Sequence, residues 1–436
     1  MKIPSSMFLL IGLLAPSTAI GRVWYVKPDS TGDAPTIQAA MDSAIAGDEV
    51  LLAPGTYSRA NQGDDGQPLG SNMLVIKGGV RLRGEAGAEV TILDGRPIPP
   101  FEGGRVILIR DAGEVVIEDL TISHGYIFSS GAGIAAYFEA FPIIRNCIFR
   151  DNRTGNVGSG AGVACYRGRI ENCMFEDNRA GVESSGGAIS CGPAVITGCM
   201  FRGNSARSHG GTSGGAIRST GALISDCVFE RNAIGGDHGG VSGGALSDHG
   251  GLVLQRCLFI GNWAGGRGAY SFGGAVAIEG TARITECVFV DNYAEQGVGA
   301  AASSTGLADV TIERCTFIDN TNAIRANTGA VRSSIIIGSR DQICAASFAV
   351  SCSNFIPTQA GEVCGTDGGG NFSADPQFCA TDPAMSRNFL LQSDSPCAPG
   401  SHPDGADCGI IGASPVGCES VATEPVSWSA FKHLFR

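Results

Sequence analysis

Lysine, aromatic residues and charge are all scarce in this chain. Only four lysines occur among 436 residues (Lys2, Lys27, Lys77 and Lys432), and 17 % of the residues are charged and 7 % aromatic. With a formal net charge of −12, the surface is unsuited to neutralising phosphates, so no nucleic-acid partner is expected. No apolar run approaches the roughly 20 residues that a membrane-spanning helix needs, so no transmembrane span is expected.

Glycine and cysteine are abundant instead. The chain has 65 glycines and 16 cysteines, and 43 % of its residues are hydrophobic. Glycine is present at about twice its usual share. This composition excludes a disordered chain and favours a single elongated repeat architecture over several ordinary domains.

The first 21 residues have the pattern of a secretory signal peptide. Lys2 precedes an apolar run, and the small residues Ala19 and Gly21 stand three places and one place before Arg22. The alternative is a buried N-terminal strand. We expect the mature protein to be secreted, extracellular or held at the cell surface in association with the outer membrane. Disulfides are admissible in such a compartment.

One motif, Cys-x-Phe-x-x-Asn, recurs seven times at intervals of 26 to 30 residues, and an aliphatic residue always stands three places before the cysteine. The cysteines are Cys147, Cys173, Cys199, Cys227, Cys257, Cys287 and Cys315. The phenylalanines are Phe149, Phe175, Phe201, Phe229, Phe259, Phe289 and Phe317. The asparagines are Asn152, Asn178, Asn204, Asn232, Asn262, Asn292 and Asn320. A period in this range predicts a solenoid.

The type of solenoid follows from the residues between the motifs. Gly-Gly-Ala-aliphatic boxes occur at 186–189, 214–217, 243–246 and 273–276, with looser versions at 131–134 and 160–163. Short β-branched runs interrupted by Gly, Ser, Asn and Asp predict strands and turns. About 28 residues suffice for three short strands and three turns, and right-handed winding is expected for parallel crossovers.

Identical positions of stacked coils should lie directly above one another. We therefore expect cysteine and phenylalanine to point inward together, as a column of buried free thiols and a column of rings. The asparagines should form a structural ladder in which each amide bonds to the next. A ligand-binding role is the alternative for the asparagines.

The repeat resembles a known group of proteins. The pairing of Phe-x-x-Asn with Gly-Gly-Ala-aliphatic is similar to the repeat of the chlamydial polymorphic outer-membrane proteins. The wider pattern, over roughly residues 23–340, resembles the right-handed parallel β-helix, pectate-lyase-like superfamily of secreted bacterial proteins. The resemblance implies an all-β, right-handed, single-stranded parallel β-helix of about ten to twelve coils, with an N-terminal cap helix and a disulfide-rich C-terminal segment.

Four segments are predicted along the chain. They are a signal peptide at 1–21, the parallel β-helix at 22–340 with its cap at 22–47, a cysteine-rich segment at 341–418 that packs on the helix, and a spacer with an amphipathic tail at 419–436. Within the cap, residues 36–44 should form a short helix that protects unpaired strand edges. The tail is either an anchoring signal or a flap docked on the helix end.

The remaining cysteines are candidates for disulfides. The last seven lie where the repeat has ended, and their pairing is open from sequence. Local pairing joins Cys344 with Cys352, Cys364 with Cys379 and Cys397 with Cys408, which leaves Cys418 over. Cys165 and Cys191 should be vertical neighbours, close enough for a disulfide but with parallel side chains that would strain it.

Catalytic residues are hard to find. Enzymes of the superfamily would be expected to show an Arg or Lys base beside acidic Ca²⁺ ligands, or acidic and histidine motifs for hydrolysis or epimerisation. None of these is present, so no cofactor is predicted and no motif indicates Ca²⁺.

Asp151 and Asp177 precede the ladder asparagine on consecutive coils and could form a carboxylate pair, as could Asp291 and Asp319. His209 and His238 precede consecutive boxes and could form a surface metal or catalytic pair. Outward turn residues and polar loop residues are the alternative interpretation of both sets.

These observations favour a binding, adhesion or structural module with a polysaccharide or another cell-surface component as partner. The alternative is a polysaccharide lyase or glycoside hydrolase.

The outer face of the Cys-x-Phe strand carries two further patterns. The residue between Cys and Phe should point outward, and it is apolar in most coils: Ile148, Met174, Met200, Val228, Leu258, Val288 and Thr316. The next outward position alternates in sign (Arg150, Glu176, Arg202, Glu230) and then becomes apolar (Ile260, Val290, Ile318). We expect a surface charge ladder in the first four coils. We expect the cysteine-rich segment to cover the apolar patch of the last three.

Overall fold

The structure is a computed structural model. It describes residues 21–62, 72–96, 103–110, 113–208, 211–237, 240–266, 271–295, 302–304, 309–321, 323–326, 328–338, 348–356, 365–380 and 388–418. Every pairing between the named strands is parallel, and the partners are strands of successive coils. The all-β right-handed parallel β-helix is therefore confirmed.

Three long sheets form the walls of the solenoid. Sheet 1 has 14 strands: Val23–Val26, Glu49–Leu52, Arg81–Gly84, Gly113–Glu118, Ala140–Arg145, Gly168–Glu171, Ala194–Thr197, Leu223–Ser225, Leu252–Gln255, Ala282–Thr285, Asp309–Glu313, Thr328–Arg332, Phe348–Ser351 and Thr366–Asp367. Sheet 2 has 12 strands: Gly55–Ser58, Thr91–Asp94, Thr121–Ser123, Ile148–Arg150, Met174–Glu176, Met200–Arg202, Val228–Glu230, Leu258–Ile260, Val288–Val290, Thr316–Ile318, Ile335–Ile337 and Asn354–Ile356. Sheet 3 has 10 strands: Asn72–Ile76, Arg105–Ile109, Ile134–Ala136, Val163–Cys165, Ile189–Cys191, Ile217–Ser219, Leu246–Asp248, Val276–Ile278, Ala302–Ser304 and Ile324–Arg325.

Two short sheets form a side lobe between sheets 2 and 3. Sheet 4 contains Ser205–Ser208, Ala233–Gly236, Trp263–Gly266 and Tyr293–Ala294, and sheet 5 contains Thr212–Ser213, Val241–Ser242 and Ser271–Phe272. The pair Tyr126–Ile127 and Arg153–Thr154 continues the direction of sheet 4, because single bridges join Arg153 to Arg179 and Arg179 to Ser205. A small core of Ala180, Ala206, Ile234, Val241 and Ala264 fills the lobe.

The N-terminal cap contains the expected helix, Ile37–Ser43, and a further short helix, Arg59–Gln62, follows the first strand of sheet 2. Thr36 caps the first helix, since its hydroxyl accepts a hydrogen bond from the Ala39 N–H at 3.1 Å. The Gln38 side chain exchanges two hydrogen bonds with the backbone of Val75, at 2.8 and 3.2 Å. The cap thereby satisfies backbone groups at the outer edge of sheet 3.

The repeat motif fills the interior with a column of rings and a column of thiols. Neighbouring phenylalanine rings stack with centroids 4.5–5.0 Å apart, and the seven motif cysteines are buried free thiols. The fully buried rings, in order along the column, are Phe149, Phe175, Phe201, Phe229, Phe259, Phe289 and Phe317. Sequence analysis placed these seven rings inside the solenoid, where the structure has them.

The motif asparagines form the ladder that the repeat indicates. Each Nδ2 donates to Oδ1 of the next asparagine at 2.9–3.0 Å, and the last one donates to backbone carbonyls instead. The ladder runs through Asn152, Asn178, Asn204, Asn232, Asn262, Asn292 and Asn320, which are all buried. Burial of these amides costs little because each one is bonded within the wall. The alternative, a ligand-binding role, does not suit side chains that are buried and bonded to one another.

The β-helix extends past the boundary predicted at residue 340. Ser334 and Ser353 take over the cysteine position, because Cys315 N–H donates to Ser334 Oγ at 3.1 Å and Ser334 N–H donates to Ser353 Oγ at 3.2 Å. Sheet 3 has no described strand beyond Ile324–Arg325, and the step between these equivalent positions shortens to 19 residues. The boundary was placed too early because both the motif and its period change there.

The cysteine-rich segment packs on the outer face of sheet 2, as expected. Phe389 and Phe378 contact a patch formed by Val288, Val290 and Ile318. The Ala413 N–H donates to Thr316 Oγ1 at 3.0 Å. The apolar outward positions of the last motif coils are therefore covered by the chain itself. The charge ladder is present in part, since Arg202 lies 3.9 Å from Glu176 and 3.4 Å from Glu230.

The disulfide pairs predicted in this segment are wrong. Cys352 bonds Cys408, and Cys379 bonds Cys418, while Cys397 is a buried free thiol. The pairing is non-local because residues 388–418 run back along the coils instead of closing short loops. The disulfide between Cys352 and Cys408 excludes the predicted pairs Cys397–Cys408 and Cys344–Cys352, and the disulfide between Cys379 and Cys418 excludes Cys364–Cys379. Cys344 and Cys364 themselves lie outside the described residues.

The remaining expectations on cysteines and termini are resolved only in part. Cys165 and Cys191 form a disulfide between adjacent coils of sheet 3, with Cα atoms 4.8 Å apart. The predicted tail at 419–436 lies outside the described residues, as does all but the last residue of the predicted signal peptide. No helix in the described ranges is long and apolar enough to cross a membrane.

Candidate functional site

The predicted acidic residues occupy one turn of the coil. Asp151, Asp177, Asp291 and Asp319 all have φ between 51° and 55°, a left-handed conformation that aspartate tolerates better than most residues. In the motif coils the turn follows the strand of sheet 2 and directly precedes the ladder asparagine. Gly203 and Gly261 occupy the same turn with φ of 63° and 59°. Backbone geometry therefore accounts for aspartate at this position.

The four aspartates do not gather into a single site. Asp151 and Asp177 lie on neighbouring coils, because Arg150 and Glu176, the residues before them, are paired in sheet 2. The strands ending at Arg202, Glu230 and Ile260 separate this pair from Asp291 and Asp319. The second pair is therefore remote from the first.

A histidine lies on the coil that precedes the first aspartate pair. His124 Nδ1 lies 3.1 Å from Asp94 Oδ1, and His124 Nε2 lies 4.0 Å from Asp151 Oδ2. His124 has the same left-handed backbone, with φ of 56°. Asp94, His124 and Asp151 thus form an acid–histidine–acid cluster along three consecutive coils. Its imidazole is partly accessible, with 28 % of the side chain exposed.

Sequence reasoning missed this cluster because the first coils lack the repeat motif. Leu93 and Ile122 occupy the phenylalanine position, and pairing of Leu93 with Ile122 and Ile122 with Phe149 fixes the register. If the motif had also allowed an aliphatic residue at the phenylalanine position, His124 would have been predicted to lie in the same turn as Asp151.

The predicted histidine pair cannot be located. His209 and His238 both lie outside the described residues. In the described ranges, no cluster of three or more His, Cys, Asp or Glu side chains has an arrangement suited to a metal ion.

The outer face of the side lobe is a second candidate. Outward positions of successive coils carry Tyr126, Arg153, Arg179, Ser205, Ala233, Trp263 and Tyr293 in register. We call this row the lobe face. Aromatic rings stand at both of its ends and two exposed arginines lie between them, with exposed Arg207 on the strand that begins at Ser205.

Trp263 and Tyr293 are neighbours in sheet 4, and Tyr293 is 43 % exposed. The indole lies across a shelf of glycine, because a Cβ atom built on Gly265 would come within 2.7 Å of Trp263 Cζ2. Glu295 borders the shelf, and its carboxylate accepts a hydrogen bond from the Gly266 N–H at 2.8 Å. The absence of a side chain at Gly265 thus leaves the indole room to lie against the sheet.

The other end of the lobe face is also aromatic. Phe128 is 58 % exposed, and its ring meets that of Tyr126 edge-on at a centroid distance of 5.5 Å. A Cβ atom built on Gly155 would come within 2.5 Å of Phe128 Cδ1, so glycine again provides the surface on which the ring rests. Phe128 and Tyr126 thus form a small pair of adjacent rings at this end of the lobe face.

Comparison with known families gives a match to the family described as right handed beta helix region, over residues 78–217 and 167–337. The matches span more than half of the chain, and the chain belongs to this family. No curated protein matches it.

Three solved structures are similar to the chain. Pectate lyase Pel9A is 14 % identical, with a TM-score of 0.46 over 92 % of this chain and 97 % of that one. The A-module of mannuronan C-5 epimerase AlgE6 from Azotobacter vinelandii is 16 % identical, with a TM-score of 0.28 over 78 % and 95 %. The catalytic unit of the thermostable GH87 alpha-1,3-glucanase from Streptomyces thermodiastaticus is 14 % identical, with a TM-score of 0.24 over 80 % and 70 %.

Proposed function

We propose that this protein is an exported module that binds an acidic polysaccharide through the lobe face. The observation that carries the proposal is the single row along successive coils in which exposed arginines lie between partly or fully exposed aromatic side chains. Export is supported by the predicted signal peptide and by disulfides such as Cys352–Cys408, which persist in oxidising compartments.

The spacing of the lobe face suits a linear polymer. Coils repeat at about 4.8 Å, close to the length of one sugar ring, so a polysaccharide laid along the solenoid axis meets similar groups at regular steps. Trp263 and Tyr293 offer flat apolar faces to the C–H surfaces of sugar rings. Arg153, Arg179 and Arg207 offer charged donors that suit carboxylate or sulfate groups.

The charge of the lobe face selects among polysaccharides. The whole chain has a net charge of −12, so an acidic polymer is repelled by most of the surface. Three arginines on consecutive coils oppose that repulsion locally. Binding should therefore be confined to the lobe face and should weaken as ionic strength rises.

Titration calorimetry with polygalacturonate, alginate and neutral dextran tests the proposal. We expect binding to the two acidic polymers and none to dextran. Trp263→Ala and Arg179→Ala should each weaken binding by roughly three- to tenfold. Phe138→Ala and Arg283→Ala serve as matched controls, because Phe138 is 74 % exposed on the turn between sheets 3 and 1 and the Arg283 side chain is 62 % exposed on sheet 1, both on other walls of the solenoid than the lobe face. The proposal would be contradicted if the control variants lost as much affinity as Trp263→Ala and Arg179→Ala, or if those two variants bound the acidic polymers as tightly as the wild type.

A second function, a polysaccharide lyase or glycoside hydrolase, is favoured by the Asp94–His124–Asp151 cluster. A carboxylate that orients an imidazole, with a second carboxylate nearby, is a suitable arrangement for acid–base catalysis. Incubation with uronic-acid and neutral polysaccharides, with and without Ca²⁺, tests it through unsaturated products and reducing ends. Product release by the wild type that His124→Ala abolishes would establish this function.

A further inference from the structure

Three polar side chains on consecutive coils form a hydrogen-bonded chain beside the side lobe. Ser213 Oγ lies 3.1 Å from His249 Nε2, and His249 Nδ1 lies 2.7 Å from Glu279 Oε2. With its proton on Nδ1, His249 donates a hydrogen bond to the Glu279 carboxylate. Nε2 then accepts a hydrogen bond from the Ser213 hydroxyl and can take up its proton. Nucleophile, base and orienting carboxylate therefore stand in the order that acyl-transfer enzymes use.

The turn that carries His249 is held rigidly by the residue before it. Asp248 is fully buried and accepts hydrogen bonds from Ser219 Oγ at 2.7 Å, Gly221 N–H at 3.1 Å and Gly250 N–H at 2.8 Å. A buried carboxylate with several donors fixes the backbone on either side of it. The imidazole is thus attached to an ordered support, as a catalytic base requires.

Ser213 is equally well placed. Its N–H donates to Ser185 Oγ at 3.2 Å, and Gly214 follows it with φ of 75°, a conformation that favours glycine. The hydroxyl of Ser247 lies 3.4 Å from the same imidazole nitrogen, so a second O–H group stands beside the base.

We propose that Ser213, His249 and Glu279 form a serine hydrolase site. Ser213 Oγ attacks the carbonyl carbon of an ester while His249 takes the serine proton. The alcohol then leaves with that proton, and an acyl-serine remains. Water, deprotonated by His249, cleaves the acyl-serine to a carboxylic acid and regenerates Ser213. Glu279 positions the imidazole and stabilises its charged form.

The surroundings of Ser213 define the substrate class. Ser213 is only 6 % exposed, so we expect its hydroxyl to be reached by a small acyl group and not by a long chain. The imidazole is 24 % exposed and Glu279 53 % exposed, so we expect the alcohol part of the ester to lie on their solvent side. The site should act on short-chain carboxylic esters such as acetates. This inference is independent of the polysaccharide proposed above.

Labelling of the full chain with a fluorophosphonate probe tests the site. The Ser213 Oγ–phosphorus bond forms as fluoride leaves, and peptide mass spectrometry locates the adduct. We expect wild type to be labelled at Ser213 and to hydrolyse p-nitrophenyl acetate with release of acetate. His249→Asn should slow both reactions roughly 100-fold or more, and Glu279→Gln should slow them less.

Control variants separate chemistry from folding. Ser159 is a matched control, because its hydroxyl accepts the Ser185 N–H at 3.0 Å two coils away from Ser213, so Ser159→Ala should label normally. Ser213→Cys should react with iodoacetamide, and adding His249→Asn should slow that reaction. Circular dichroism of each variant verifies the fold. Wild type that is not labelled at Ser213, or labelling that His249→Asn leaves unchanged, would overturn the proposal.

Discussion

Phe229 and Phe259 stack with ring centroids 4.5 Å apart and an angle of 1° between their planes. Both rings are fully buried, and their backbones are direct partners in sheet 2. Near-parallel rings at this distance follow from the register, since direct partners in neighbouring strands place the two rings one coil spacing apart. The column is thus a consequence of strand pairing, and it stabilises that pairing in turn.

Phe229→Ala should lower the free energy of unfolding by roughly 3 to 5 kcal/mol. The substitution removes a fully buried ring from mid-column and leaves a cavity between the rings of Phe201 and Phe259. Denaturant titration of the wild type and the variant measures the difference. Tyr166→Ala is the control, because Tyr166 is 62 % exposed and its loss should cost little. A cost below about 1 kcal/mol for Phe229→Ala would mean that the column carries little of the stability.

Asn232→Ala should cost roughly 2 to 4 kcal/mol, because it leaves several buried groups without partners. Asn232 Nδ2 donates to Phe201 O at 2.9 Å and to Asn262 Oδ1 at 3.0 Å, while its own Oδ1 accepts from Asn204 Nδ2 at 3.0 Å. Thermal unfolding followed by circular dichroism checks the loss. Asn156, an exposed turn residue, gives the matched control, and an equally large loss in Asn156→Ala would show that the effect is not specific to the ladder.

Phe389→Ser should expose apolar surface without unfolding the solenoid. Phe389 is 6 % exposed and covers the patch of Val288, Val290 and Ile318 on sheet 2. An uncovered patch of this kind promotes association. The variant should bind a hydrophobic dye and self-associate in analytical ultracentrifugation. A monomeric variant with no added dye binding would argue that Phe389 does not form the cover.

The buried thiol of Cys397 should make the free energy of unfolding fall as the pH rises above 9. Burial raises the pKa of this thiol from 9.0 to about 11. Above pH 9 the unfolded chain loses its thiol proton while the folded chain keeps it, so the stability contributed by the buried thiol is full below pH 9 and is lost as pH rises to about 11. The loss amounts to at most about 2 to 3 kcal/mol. Unfolding free energies measured from pH 8 to 11 should fall less steeply in Cys397→Ala, and parallel slopes would exclude this origin.

Three thiols of the central column should be unreactive in the folded protein. Burial raises the pKa of Cys173, Cys227 and Cys287, which keeps them protonated and poorly nucleophilic. A thiol reagent at neutral pH should label these residues only after denaturant is added. Rapid labelling of the native protein at any of the three would show that the solenoid opens on the timescale of the reaction.

The repeated part of the fold could be predicted from sequence because each position serves the same purpose in every coil. Phe229 is buried for the same reason as Phe201, and Asn232 bonds as Asn204 does, so seven copies of the motif reinforce a single inference. Thr36, with its capping hydroxyl, likewise marks a helix through local chemistry alone. Such rules need only neighbours in sequence or a constant period.

Features outside the repeat depend on contacts that no period records. Cys352 meets Cys408 at a sequence separation of 56 because the chain turns back over sheet 2, and composition carries no signal for that turn. His124 was missed since its coil has Ile122 in place of the phenylalanine. His249 was not among the histidines predicted from sequence, yet it contacts Ser213 because its side chain reaches back to the preceding coil.

The constant register also makes the length of the solenoid adjustable. Removing residues 202–229 would join Phe201 to Glu230 and restore an intact motif of Cys199, Phe201 and Asn232. One coil would be lost, and in the asparagine ladder Asn178 would then be followed directly by Asn232. The cap and the C-terminal cover would contact the same surfaces as before. Each such event shortens or extends the molecule by about 4.8 Å. Loss or duplication of a gene segment that encodes one coil would therefore produce proteins that differ in length while both ends stay unchanged.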